Sequence, residues 1–148
     1  MTPRDFFEQV AAKNAWRVSQ SPDDIRLCVN AIISLDVFLG ILHAHLFATG
    51  ATPILLESEW KDTALARQSD EYRLLRDYSY ALKRGNLTGH AAYRLVLKPD
   101  QITEHNGPTF ETPLVWIEAD GQSPQRADVT IAKVILLAQE QLKANNLI

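Results

Sequence analysis

Asp36 and His43 stand seven residues apart in "NAIISLDVFLGILHAHLF", so on a helix they share one face two turns apart, with Gly40 between them leaving room for another backbone. A carboxylate and an imidazole so placed are an acid–base pair in search of a substrate. Facing them is a second predicted helix, "DEYRLLRDYSYALKR", rich in cations at Arg76, Lys83 and Arg84 and carrying Asp77, with His90 just beyond it. One reading makes this a site: Arg76 or Arg84 holds a phosphate while His43 or His90 moves a proton. The other makes it architecture: Asp36 pairs with a cation to fix helix register, and His43 satisfies a backbone carbonyl. On either reading the contact set is Asp36, His43, Arg76, Asp77, Lys83 and Arg84.

Metal chemistry is poorly served. His43 and His45 are two apart and point about 200° from each other on a helix, so they do not chelate one ion. No HExxH and no cysteine pair is present. A set drawn from Asp36, His43, His90 and His105 is the only metal alternative, and neither metal nor cofactor is expected. No GxSxG, P-loop or GxGxxG occurs either. Trp16, Trp60 and Trp116 sit in separate elements and are expected to anchor the core or an interface. Of Tyr72, Tyr78 and Tyr80, Tyr78 falls on an apolar face, leaving two tyrosines to stack on bases.

The elements that must position these residues are well punctuated. Thr2-Pro3 opens a helix to about Val18. Ser21 is the expected cap, with Pro22 at the first position, of a helix to about Phe47 that Gly50 releases. Thr52-Pro53 opens a third helix to about Arg67, and Ser69 caps a fourth that stops at Gly85. In that fourth helix Leu74, Leu75, Tyr78, Ala81 and Leu82 make one apolar face. "AAYRLVLKPDQI" and "LVWIEADG" read as two strands of a hairpin at about 91–119. Asp128 is the expected cap of the last helix. The fold class is therefore mainly α: one domain over 1–148, a four- or five-helix bundle with a small β-hairpin inserted before the C-terminal helix.

Bulk composition suits that fold. The chain has 148 residues, 46% hydrophobic and 22% charged, with a net charge of -3, which removes the broad cationic field of general nucleic-acid binders but leaves room for a local patch. The lone Cys28, set among apolar residues, is expected to be a buried thiol in a reducing compartment. "MTPRDFFEQV" has acids where a secretory leader has a cationic and then apolar run. Asn30, Ser34, Asp36, His43 and His45 interrupt the long apolar stretch, which is expected to be a central buried helix and not a membrane span. The expected location is cytoplasmic.

The paired stretches "NAIISLDVFLGILHAHL" and "YRLLRDYSYALKRGNLTG" resemble those of a group of uncharacterised bacterial helical proteins. That group joins an NAxxxLDxFFGxLHA helix to an LRDxAxALKHGxLT helix, followed by a hairpin and a last helix. The resemblance covers about residues 22–140. At fold level it extends to the HEPN group (higher eukaryotes and prokaryotes nucleotide-binding domains), helical bundles that are often dimeric and often metal-independent ribonucleases with an Arg-polar-x-His type motif. It implies an arginine on phosphate and a histidine on the 2′-hydroxyl chemistry. Arg76-Asp77 supplies the first half of such a motif, but Ala81, Leu82 and Lys83 stand where its histidine would follow. Arg84 stands where the smaller group has histidine. The expectation is a non-catalytic binding or interaction module that forms a homodimer. The alternatives are a HEPN-like ribonuclease or toxin acting on RNA, and a small-ligand or metal pocket around Asp36 and His43.

Overall fold

The Thr2 hydroxyl accepts the Asp5 N–H at 3.1 Å, and the Asp5 carboxylate takes the Thr2 N–H at 3.0 Å, a reciprocal cap that starts the first helix where Thr2-Pro3 predicts it. In the computed structural model, which describes residues 1–84, 93–99 and 113–148, this helix, α1, covers residues 3–20. It is α-helical over Pro3–Phe6 and Ala12–Gln20, with a π-helical turn at Phe7–Ala11 between them.

The next helix, α2, runs Ile25–Ala48. It starts later than expected because Ser21 closes α1 through its own N–H, and its carbonyl accepts from Asp24 across a tight turn. The cap passes to Asp24, whose carboxylate accepts from the Arg26 and Leu27 N–H groups at 2.9 and 3.3 Å. At the far end Gly50 takes φ +75°, the left-handed conformation that a glycine adopts without Cβ strain.

The third helix, α3, covers residues 57–66, not 53–67. Leu56 ahead of it is extended, and the Ile54 carbonyl is held by the His43 ring, a tertiary bond that keeps the 52–56 segment from winding into the helix. Lys61–Ala66 is π-helical, with the Arg67 N–H reaching the Asp62 carbonyl. Trp60, Lys61, Leu65 and Ala66 are all buried. In an α-helix, positions five apart diverge by about 140°; the wider turn brings both pairs to the inner face.

Helix α4, Asp70–Lys83, begins as expected, with the Ser69 hydroxyl accepting from Tyr72. Gly85, its predicted stop, lies outside the described residues. Strands β1, Tyr93–Pro99, and β2, Pro113–Ala119, pair antiparallel from Tyr93↔Ala119 to Pro99↔Pro113. A two-residue strand, β3 (Gln125–Arg126), pairs with β2, so the hairpin is part of a three-stranded sheet. Two residues are too few to show alternation in a sequence. The sheet feeds directly into α5, Ala127–Ala144, whose cap position is Arg126. Asp128 was the expected cap, but its carboxylate binds the Arg126 guanidinium instead, at 2.9 and 3.2 Å.

The described residues thus form five helices and a small sheet before the last of them. Helix α2 is central, packed against α1, α4 and α5. It is long and apolar enough to cross a membrane by length and composition alone, yet half of its most apolar stretch is buried in the bundle. Phe38, Leu35, Leu39 and Leu42 of α2 are fully buried. Cys28, nearer the start of the same helix, is buried too, its thiol pushed up to about 12 by burial and then by Asp128. Trp60 and Trp116 are core residues, whereas Trp16 is 63% exposed: of the two expected roles, core or interface anchor, its exposure rules out the core.

Candidate functional site

Asp36 is buried, and every one of its oxygens that points inward has a donor. Its Oδ1 accepts from the Lys61 ammonium at 2.8 Å, and its Oδ2 from the Ser79 hydroxyl at 3.1 Å and the Lys83 ammonium at 2.5 Å. Lys61 also donates to the Asp36 carbonyl at 3.0 Å and lies 2.5 Å from Glu57 Oε1. The three protons of Lys61 are matched by three acceptors, and the four charges Asp36, Glu57, Lys61 and Lys83 sum to zero. Burial by itself would raise the Asp36 carboxyl; Lys61 and then Lys83 outweigh it and hold the group below the ordinary aspartate value of 3.8.

Only one of the three cations expected to answer Asp36 does so. Arg76 instead donates to the Ser58 carbonyl at 3.2 Å and lies 3.6 Å from Asp62. Arg84 caps α4 with its guanidinium 4.3 Å above the Tyr80 ring. Lys61 takes their place, reaching both the Asp36 carboxylate and its backbone carbonyl from α3. Sequence reasoning missed Lys61; its one local signal is the Glu57–Lys61 spacing of four, which by itself reads as a surface pair.

His43 is buried and separated from Asp36 in function. Its Nε2–H donates to the Ile54 carbonyl at 2.7 Å, and its ring lies 5.5 Å from Trp60 and 6.3 Å from Phe47. Gly40, between Asp36 and His43, makes room for a side chain and not for a backbone: a Cβ there would sit 2.8 Å from Glu57 Oε1. Asp77 accepts from the Tyr93 hydroxyl at 3.2 Å, tying α4 to β1. His90 and His105 lie outside the described residues. Among the described residues, no three His, Cys, Asp or Glu side chains approach closely enough to hold a metal ion.

What the structure does bring together is a groove of about 370 Å³ between the 56–61 segment and α4. Asp36 and Lys61 form its floor, Arg76 and Lys83 its cationic side, and Leu56 and Tyr80 its apolar rim. Leu56 and Tyr80 are 59% and 55% exposed. Of the three tyrosines on α4 this leaves Tyr80 alone able to stack on a ligand, since Tyr72 and Tyr78 are buried. No protein-family model, curated protein or solved structure matches this chain.

Tyr72 lies beneath this region. It is fully buried, and its hydroxyl has no hydrogen-bond partner among the described residues. Burial, and then the Asp36 charge, push its phenol upward. A buried hydroxyl without a partner costs stability, so Tyr72→Phe is expected to raise the unfolding free energy by about 1 kcal/mol. Urea melts of the two proteins check this, and a loss on substitution would mean that the hydroxyl has a partner in solution.

Proposed function

We propose that this chain is a non-catalytic interaction module of a bacterial-type cytoplasmic protein, and that the groove beside Asp36 is its contact surface. The observation that carries the reading is the closure of the charged network. Asp36 has lysine or serine donors on both carboxylate oxygens, Lys61 has all its protons matched, and His43 is committed to a backbone carbonyl. A general acid or base needs a lone pair or proton directed at a substrate, and these groups direct theirs at one another. The groove rim offers what recognition needs: exposed Leu56 and Tyr80 beside Arg76, Lys83 and Arg84, a surface suited to an acidic segment of a partner that carries an apolar side chain.

The HEPN-like ribonuclease reading rests on a different observation, the Arg84 guanidinium stacked on an exposed Tyr80 next to Lys83, which is a competent contact for a nucleotide. A cleavage assay separates the two. Folded protein at micromolar concentration is incubated with a mixed RNA pool in chelator. The expected result is intact RNA for the wild type. Degradation that disappears in Arg84→Ala or His90→Ala would replace the interaction module with the nuclease.

A further inference from the structure

Among the described residues, helix α2 buries one face in the bundle and leaves a second, narrow stripe uncovered. Arg26, Asn30, Ile33, Val37, Ile41, Ala44 and Ala48 are all exposed or half-buried, and at about 100° per residue they lie within about 40° either side of Val37. Their spacing is 4, 3, 4, 4, 3, 4, which reads the same from either end with Val37 at the centre. Ile33 and Ile41 are four residues from Val37, Asn30 and Ala44 seven, and Arg26 and Ala48 eleven.

A stripe with that symmetry matches its own copy turned end for end. Two antiparallel α2 helices crossing at Val37 place Val37 on Val37, Ile33 on Ile41, and Asn30 on the small Ala44, which permits close approach. Alternation of 3 and 4 is the spacing of helices packed at a shallow angle. The charge at the end agrees. The Arg26 side chain is 90% exposed, with its nearest acid, Asp24, 3.7 Å away, and it stands in the first turn of α2, where the helix dipole disfavours a cation. In the antiparallel pair it lies over the carbonyl end of the other α2, about 16 Å from the centre, where a cation is favoured. The two-fold axis supplies that contact twice.

We infer that a second copy of this chain covers α2, forming an antiparallel, isologous homodimer centred on Val37. The interface uses a different face of α2 from Asp36, so it stands or falls independently of the groove. Val37→Glu and Val37→Cys test it. Light scattering of the wild type at tens of micromolar gives twice the monomer mass. Val37→Glu, at a 36% exposed site, keeps its circular dichroism and weakens the dimer at least about tenfold, because two carboxylates meet on the axis. Mild oxidation of Val37→Cys gives a covalent dimer, since the residue faces itself, while the wild type, with Cys28 buried, and a Val129→Cys control on α5 give none. A monomeric wild type, or a dimer unaffected by Val37→Glu, overturns the inference. So does a monomer that sediments with anionic vesicles through Val37, which would make the stripe a lipid contact.

Discussion

Asp36→Ala is expected to lower the folding free energy by about 3–5 kcal/mol, the usual result of removing one partner from a buried ion pair. The substitution leaves Lys61, itself 5% exposed, with one unmatched proton, and releases Lys83 and the Ser79 hydroxyl at the α2–α4 contact. For a chain of this length the melting temperature should fall by roughly 10 °C. Asp36→Ala combined with Lys61→Met should recover part of the loss, because the buried ammonium, left with Glu57 as its counter-charge, is then gone. A double variant no better than the single one would show that the damage lies elsewhere.

The same network sets an acid limb. The folded Asp36 carboxyl lies below its ordinary value of 3.8, so on acidification the unfolded chain takes up this proton first. Its contribution is fully present above the ordinary value and is lost as the pH falls through the folded one. Wild-type stability should therefore fall more steeply below about pH 4 than that of Asp36→Asn, which has no proton to take up there. Equal slopes would mean that Asp36 does not carry its charge inside the bundle.

Phe38→Ala is the second large effect. Phe38 is fully buried on α2, and its ring sits 5.3 Å from that of Phe7, tilted at 56°, joining α1 to the central helix at the π-helical turn. Truncation removes the ring from both surfaces and leaves a cavity between rigid helices, so a loss of about 3–5 kcal/mol is expected. In urea this appears as a lower midpoint with an unchanged slope. Phe38→Leu, which keeps most of the volume, should cost about 1–2 kcal/mol. A slope that changes as well would mean that α1 detaches separately.

The fold was legible wherever a local signal matched the final backbone. Ser69 caps α4, Thr2 caps α1, and Gly50 ends α2, each through an interaction with residues close in sequence. Legibility failed where a tertiary partner took a residue away from its local role. Ser21 was taken by the end of α1, Asp128 by Arg126, and the 52–56 segment by His43. At the site, the burial of Asp36 and His43 could be read from the apolar character of their helix. Lys83 was among the cations the sequence offered, but the part of Lys61 could not be read: Arg76 and Arg84 have the same charge, and only the packing of α3 across α2 selects among them.

The wide turn at Lys61–Ala66 gives this part of the chain a property beyond composition. Because Trp60 and Lys61 share an inner face with Leu65 and Ala66 only at a π-helical pitch, the number of residues in the segment matters as much as their chemistry. Wound as an ordinary α-helix with the same number of residues, the segment would set these pairs about 140° apart, whereas loss of one residue would leave them four apart and still on one face. In the first case Lys61 would swing away from Asp36 even though both side chains were still encoded. Here the genome specifies an angle by counting codons.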